Sequence, residues 1–236
     1  MLPAGRADRP GRTFGGHVVQ ARPAAGGGRW VEISPERLRG WLDGFYGRHD
    51  GAAERGLVLT GASNGDTATL VPPPGVGAVD DVDTLLTALI RPPRLALLLA
   101  RKGAVAVGIA DGTAIVASKV ERCYVQGRTA AGGSSQHRFA RRRANQADAA
   151  TRKAADVAAR VLLPYLPGGP ADPDDAAGAL VCGGDRLMID SVLADRRLHP
   201  LVLLRHPHLL ETPEPRLSVL RDAAVAARRV RIHLLP

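Results

Sequence analysis

Cysteines and aromatic residues are both scarce in this chain. The two cysteines, Cys123 and Cys182, lie far apart in 236 residues, which argues against a disulfide framework, and neither has a His or Cys beside it at the spacing of a zinc site. We expect both to be small buried strand residues in a reducing compartment. Aromatic residues make up 3% of the chain, which argues against base stacking as the main mode of nucleic-acid recognition.

Long apolar runs are missing as well. Residues 1–9 contain no apolar signal core, and no run approaches the roughly 20 residues that a membrane-spanning helix needs. We therefore expect a soluble, cytoplasmic monomer with no membrane partner.

Acidic residues are outnumbered by basic ones. The chain has 32 Lys and Arg against 23 Asp and Glu, a formal net charge of +9. The basic residues are almost all arginines, and this skew, together with the Ala and Gly content, is typical of a high-GC genome. Genome composition does not explain the excess of positive charge, which favours an anionic partner.

Residues 1–28 are rich in Gly, Pro and Arg without periodicity, so we expect a flexible basic N-terminal tail. In residues 29–236 the apolar spacings of strands alternate with those of helices. This pattern predicts an α/β fold, a single domain with a mixed, largely antiparallel central sheet flanked by helices. The predicted strands are 30–33, 57–60, 67–71, 95–101, 105–110, 113–126, 179–182, 201–204 and 230–234, and the predicted helices include 82–90, about 136–163, 186–194 and 215–228.

A glycine-rich segment with one glutamine precedes the longest predicted helix. Residues 127–136 read GRTAAGGSSQ, and Gly132 and Gly133 allow positive φ or a close approach to a ligand. Ser134 and Ser135 suit the cap of the following helix. Gln136 carries a neutral amide, which can orient a water or a carbonyl but cannot act as a strong base. The segment is either a plain connection or a loop that presents Gln136 to a substrate.

A block of arginines follows the glutamine. Residues 128–153 contain seven basic residues and one acidic residue, Asp148. Arg138, Arg141 and Arg142 share one face of a helix, where like charges repel unless an anionic partner offsets them. This predicts contact with the phosphates of a nucleic acid. The predicted RNA-binding residues are Arg128, His137, Arg138, Arg141, Arg142 and Arg143.

Three segments carry a resemblance to a known family. Residues 124–136 (YVQGRTAAGGSSQ), 138–146 (RFARRRANQ) and 30–45, which opens WVEISPERL, resemble the actinobacterial branch of the Vms-like release factors. These are relatives of the catalytic middle domain of eukaryotic peptide-chain release factors, and the resemblance covers most of residues 30–236. Decoding release factors have Gly-Gly-Gln contiguously, whereas two serines intervene here. No codon-reading domain is evident either, so stop-codon specificity is not implied.

The resemblance implies a peptidyl-tRNA hydrolase that frees nascent peptides from stalled ribosomal complexes. It implies Gln136 as the catalytic residue that positions water at the ester, with Gly132, Gly133, Ser134 and Ser135 supporting it. The implied partners are the peptidyl-transferase centre of the large ribosomal subunit, its rRNA, and peptidyl-tRNA. No cofactor and no metal are expected.

Two other functions stay open. In the first, the protein is a non-catalytic ribosome-associated factor that binds rRNA or tRNA, and the loop is merely a clamp. A nuclease-like α/β enzyme would need clustered carboxylates for metal, and the sequence shows no such cluster.

Smaller features have structural interpretations. His137 has no nearby carboxylate partner, so we expect it to contact RNA rather than to act as a general base. Asp185 is interpreted as a helix N-cap. The histidines at 199, 206 and 208 lack companions at ligand spacing, so no metal site is predicted there.

Overall fold

Helices and strands alternate along the described part of the chain. The structure, a computed structural model, describes residues 21–122 and 135–236, and for residues 135–144 it describes the backbone alone. The strands are β1 (Arg22–Pro23), β2 (Arg29–Ile33), β3 (Ala52–Arg55), β4 (Val58–Gly61), β5 (Thr67–Val71), β6 (Arg94–Arg101), β7 (Ala104–Asp111), β8 (Ala114–Arg122), β9 (Ala177–Gly184), β10 (Arg205–Leu210) and β11 (Val230–Leu235). The α-helices are α1 (Pro35–Arg48), α2 (Val82–Ala88), α3 (Ser135–Leu162), α4 (Arg186–Leu193), α5 (His199–Leu203) and α6 (Leu217–Ala227). Among the described helices, none is long and apolar enough to cross a membrane.

The chain divides into two compact units, and the first comprises Met1–Val71 and Val230–Pro236. Its described strands form an antiparallel sheet in the order β1-β2-β11-β5-β4-β3. Alternate residues of these strands are buried, and α1 packs against β2. One face of the sheet therefore forms a core with α1. The buried apolar side chains are Val31, Ile33, Leu38, Leu42, Phe45, Leu59, Ala68, Leu70, Val230 and Ile232.

The second unit, Pro72–Arg229, is built on a mixed five-stranded sheet in the order β10-β9-β6-β7-β8. Strands β6, β7 and β8 form an antiparallel meander, while β9 runs parallel to both β6 and β10. Leu98 and Val107 lie in one apolar core with α3 and α4, and Leu97 and Val181 lie in another with α6. Because neighbouring strand residues point to opposite faces, helices cover both faces of this sheet.

Most sequence-based predictions of the fold are confirmed. The α/β class is confirmed, with the strands distributed over two sheets. The predicted meander corresponds to β6, β7 and β8, although residues 123–126 lie outside the described residues. The helix predicted over about 136–163 is α3. The division into a tail, 1–28, and one domain, 29–236, stays a prediction.

The strand predicted over 201–204 is wrong. Residues 201–203 belong to α5 and Leu204 is its C-cap; the helix begins at His199 and has Pro200 in its first turn, a position that proline favours. The strand lies further along, as β10. Its parallel pairing with β9 is irregular between Arg205 and Leu209, because Pro207 has no N–H to donate and proline is tolerated on an edge strand. The apolar run 201–204 alone did not distinguish a short buried helix from a strand.

Cys182 is a buried thiol in β9, as predicted. Burial raises the pKa of this thiol to about 11, so it is protonated and unreactive at neutral pH. Cys123 lies outside the described residues.

Gly184, the last residue of β9, has a backbone conformation that excludes a side chain. Its φ is +100°, and a Cβ there would lie 2.4 Å from the carbonyl oxygen of Ala100. The N–H of Asp185 donates to the same oxygen at 2.8 Å, so the backbone cannot shift without losing a hydrogen bond. We expect Gly184→Ala to lower the free energy of unfolding by about 2–3 kcal/mol, measured by urea denaturation.

The control for this variant is Gly47→Ala in α1. A Cβ at Gly47 meets nothing within 4 Å, and alanine is favoured over glycine in a helix by about 0.5–1 kcal/mol. Gly47→Ala should leave the stability unchanged or raise it. Equal losses in both variants would contradict the steric argument.

Candidate functional site

The predicted site residues lie at and before the N-terminal end of α3. Arg128, Gly132, Gly133 and Ser134 lie outside the described residues. Ser135 and Gln136 are the first two residues of α3. His137, Arg138, Arg141, Arg142 and Arg143 follow in the same helix, and for all of these the backbone alone is described.

Gln136 lies in the first turn of α3. The first four N–H groups of a helix have no partner within the helix, and the helix dipole places partial positive charge at this end. Because α3 is helical from Ser135, the spacing of Arg138, Arg141 and Arg142 is that of one helix face.

The C-terminal half of α3 is anchored in the core of the second unit. Its buried side chains are spaced at three and four residues, and four of the six are alanines that allow the helix close to the sheet. They pack with sheet residues that include Ala96, Leu98, Val105 and Val107. The buried residues of α3 are Ala150, Ala154, Ala155, Val157, Ala158 and Leu162.

The described side chains of α3 give a first point at which the helix is anchored. Among its described side chains, which start at Asn145, the first buried one is Ala150. Gln136 precedes Ala150 by 14 residues, which is about 21 Å along a helix axis at 1.5 Å per residue. The long helix thus carries the glutamine backbone well away from the point where it is anchored.

An ion pair ties α3 to the end of β8. Lys153 Nζ lies 2.8 Å from Glu121 Oε1, and the Glu121 side chain is 23% exposed. The hydrogen bond from Lys153 holds the pKa of Glu121 below its ordinary value. Since β8 ends at Arg122, this pair fixes the strand that leads into residues 123–134 against the helix that follows them.

A second ionic contact holds α3 further along. Arg197, in the 3₁₀ helix Arg196–Leu198, lies 2.7 Å from Asp156 on α3 and 2.7 Å from Asp195. Asp195 also caps that short helix by accepting from the Arg197 N–H. Sequence reasoning missed these partners, because Arg197 and Asp156 are 41 residues apart.

Asp195 should make stability depend on pH in acid. The hydrogen bond from Arg197 lowers the pKa of Asp195 from 3.8 to about 2. A carboxylate with a lowered pKa stabilises the fold above its unfolded pKa, and this contribution is lost as the pH falls through the folded pKa. We expect Asp195→Asn to be less stable than the wild type above pH 5, and this difference should shrink between pH 4 and pH 2. Urea denaturation across this range measures it, and a difference independent of pH would contradict the assignment.

A groove of about 420 Å³ lies at the carboxyl ends of β6, β9 and β10. It is lined by Arg101, Gly184 and residues 209–213. The hydroxyl of Thr212 is buried there without a hydrogen-bond partner among the described residues. Because the Thr212 hydroxyl is not hydrogen-bonded to Glu211 or to any other described base, the groove does not present the nucleophile–base pair of a triad-type hydrolase.

The remaining candidates have structural roles where they are described. Asp185 is the N-cap of α4, accepting from the Met188 N–H at 3.2 Å, as predicted. His208 donates its backbone N–H to Nδ1 of His206 at 3.2 Å. Within the described residues, no group of three or more His, Cys, Asp or Glu side chains is placed to hold a metal ion.

Several solved structures resemble this chain distantly, and two of them cover most of it. The crystal structure of the archaeal translation termination factor aRF1 has a TM-score of 0.43 and 15% identity, and covers 84% of this chain. A structure described as an archaeal protein has a TM-score of 0.36 and 10% identity, and covers 82% of this chain. The chain spans 63% and 62% of the lengths of these two proteins. No curated protein matches the chain.

Comparison with family models gives a match over more than half of the chain. The model is that of the Actinobacteria/chloroflexi VLRF1 release factor, and it covers residues 93–233. The matched range takes in the meander, the glycine-rich segment that ends in Gln136, and the whole of α3. The chain belongs to the Actinobacteria/chloroflexi VLRF1 release factor family.

Proposed function

We propose that this protein is a ribosome-associated peptidyl-tRNA hydrolase that releases nascent peptides from stalled ribosomal complexes in the cytoplasm. One observation carries the proposal. In a chain of a release factor family, a glycine-rich segment ending in Gln136 connects the anchored strand β8 to the N-terminal end of the anchored helix α3.

The architecture suits delivery of a side chain into a narrow site. The substrate ester at the peptidyl-transferase centre is surrounded by rRNA, so a protein must reach it with a thin projection. Helix α3 has about 21 Å between Gln136 and Ala150, the first buried residue among its described side chains. The Lys153–Glu121 ion pair and the buried alanines hold the C-terminal half of α3 in place. This support helps to define the direction in which the helix presents Gln136 at its N-terminal end.

The reaction is hydrolysis of the ester between the peptide and the terminal ribose of tRNA. Water attacks the ester carbonyl carbon, the bond from that carbon to the ribose oxygen breaks, and the ribose oxygen receives a proton. Gln136, through its side-chain amide, positions the water and donates to developing negative charge. The rRNA and the tRNA supply the remaining groups, because a neutral amide cannot accept the proton itself.

The arginines of α3 provide the docking charge. Arg138, Arg141 and Arg142 follow Gln136 on one helix face, with Arg143 beside them. RNA phosphates neutralise this cluster, and Arg128 and His137 add contacts on either side of the glutamine. Gly132 and Gly133 give the segment the backbone freedom to enter the cavity, with Ser134 and Ser135 joining them to the glutamine.

The rival function is a non-catalytic RNA clamp, and a release assay separates the two. Ribosomes carrying a labelled peptidyl-tRNA are incubated with saturating wild-type protein at constant Mg²⁺. We expect stoichiometric release of the peptide, at a rate unaffected by a chelator selective for zinc. Full occupancy of the ribosome without release would establish the clamp. Loss of release with the chelator would instead indicate metal-assisted hydrolysis.

A further inference from the structure

The first unit has a sheet face that α1 does not cover. Residues paired across antiparallel strands share a face, and the face opposite the buried one carries mainly threonine, arginine and aromatic side chains. Its half-buried and exposed residues include Arg22 on β1, Trp30 and Glu32 on β2, Arg231 and His233 on β11, Thr67 and Thr69 on β5, and Arg55 on β3. We call this surface the Trp30 face.

An aromatic and cationic cluster lies at the centre of the Trp30 face. The rings of Trp30 and His233 are stacked, with centroids 4.7 Å apart and an interplanar angle of 28°. The guanidinium of Arg231 lies 4.4 Å from the Trp30 ring centroid. A half-buried Trp that is held by a cation and a second ring is a rigid platform with little entropy left to lose on binding.

Backbone contacts fix the orientation of His233. Its Nε2 lies 3.0 Å from the carbonyl oxygen of Gly27. A carbonyl only accepts, so Nε2 carries the proton and donates. The imidazole is therefore held in place beside the indole, and its ring does not need to reorient when a ligand stacks next to it.

The charges of the Trp30 face favour an anion with planar groups. This face carries three basic residues, one acidic residue and threonine hydroxyls between them. The charged residues are Arg22, Arg55, Arg231 and Glu32. A stacked guanidinium keeps its N–H donors at its edge, where they can bind phosphate. Exposed sheet faces that combine aromatic side chains with arginines bind unpaired nucleotides by stacking the bases and neutralising the backbone.

We propose that the Trp30 face binds single-stranded RNA, with bases stacked beside Trp30 and His233 and phosphates bound by Arg22, Arg55 and Arg231. This site lies in the first unit; Arg22, Trp30 and Arg55 lie outside the residues that the family match covers, whereas Arg231 and His233 lie at its C-terminal end. It goes beyond the proposed hydrolysis, because it contacts RNA through a different surface and does not require Gln136.

Intrinsic fluorescence tests the site directly. The chain has two tryptophans, Trp30 and Trp41, so Trp41→Phe leaves Trp30 as the only indole. This change is combined with Arg141→Gln and Arg142→Gln, which reduces competing RNA binding at α3, and the emission of Trp30 reports only binding near its own ring. Titration with an unstructured RNA oligonucleotide should quench Trp30 emission and saturate. A lack of change at saturating RNA would overturn the proposal, as would quenching by an acidic peptide but not by RNA.

Substitutions on the Trp30 face identify the contacts. In the same background, Arg231→Ala should weaken RNA binding about tenfold. Variants without Trp30 are measured with labelled RNA instead: Trp30→Ala should also weaken binding about tenfold, whereas Trp30→Phe should retain most of the affinity. The control is Arg39→Ala, an exposed arginine on α1, which removes the same charge and should change affinity by less than about twofold. Equal effects of Arg231→Ala and Arg39→Ala would overturn the proposal. If Trp30→Ala does not fold, the comparison of Arg231→Ala with Arg39→Ala and the quenching of Trp30 emission still test the proposal.

The test is independent of ester hydrolysis. RNA binding at the Trp30 face is read from fluorescence and affinity, whereas the proposed function is read from peptide release. Loss of quenching with normal release would remove this inference alone. Normal quenching without release would remove the hydrolase function alone.

Discussion

Gln136→Ala should release peptide from stalled ribosomal complexes at least about a hundredfold more slowly than the wild type. Removal of a single positioned donor to a developing oxyanion typically costs about 10²–10³ in rate, and no other side chain of the proposed site replaces this amide. The rate is measured as single-turnover release of labelled peptide at saturating protein. Binding to the ribosome should be unchanged, because the docking charges remain in place.

Gln146→Ala is the matched control for this variant. It removes the same amide from the same helix, about 15 Å further along the axis, at a position that is half-buried and described. We expect its release rate to stay within about twofold of the wild type. A hundredfold loss in Gln146→Ala as well would assign the effect to the helix rather than to the amide at 136.

Neutralising Arg141 and Arg142 together should weaken ribosome binding about tenfold or more at moderate salt. Each lost phosphate contact reduces the number of released counterions by about one, so the slope of log affinity against log salt should become shallower by about 1.5. Affinity of the Arg141→Gln, Arg142→Gln double variant is measured by sedimentation with ribosomes over a salt series. Release at saturating protein should be affected far less than binding.

The control for the charge experiment is Arg160→Gln. Arg160 is an exposed arginine in the last turn of the same helix, on the anchored half. For Arg160→Gln we expect the slope of log affinity against log salt to match that of the wild type. A slope unchanged in the double variant, or changed equally by Arg160→Gln, would contradict the assignment of the arginines to phosphate binding.

The parts of the fold that sequence reasoning predicted are those with strong local periodicity. The meander of β6, β7 and β8 could be predicted because tight turns separate its apolar runs. Helix α3 could be predicted because small apolar residues recur in it at helical spacing. The start of α3 at Ser135 was predicted to within a residue. Such elements are specified by neighbours in the chain, so they do not depend on unknown long-range contacts.

The parts that sequence reasoning did not predict depend on distant residues. Strand β11 pairs with β2 and β5 in a sheet separate from that of the meander, and no local signal indicates a partner about 200 residues away. Residues 201–203 of the run form a helix because Pro200 favours the first turn of one, and the strand begins only at Arg205. An apolar run of four residues fits either structure.

The sequence predicts the chemical groups of the candidate site but not the contacts that hold helix α3 in place. Gln136 and the arginines were identified from residue type and spacing within one segment. The Lys153–Glu121 pair and the Arg197 network that hold α3 were not, because each joins residues more than 30 positions apart. The stack of Trp30 on His233 was missed for the same reason.

The central claim, that Gln136 at the N-terminal end of α3 positions the water that releases peptide from tRNA, is tested most directly by one paired measurement. Wild type and Gln136→Ala are bound to the same ribosomal complexes, and released peptide and bound protein are quantified in the same samples. The account predicts equal occupancy with release lost in the variant. Equal occupancy with equal release would contradict it.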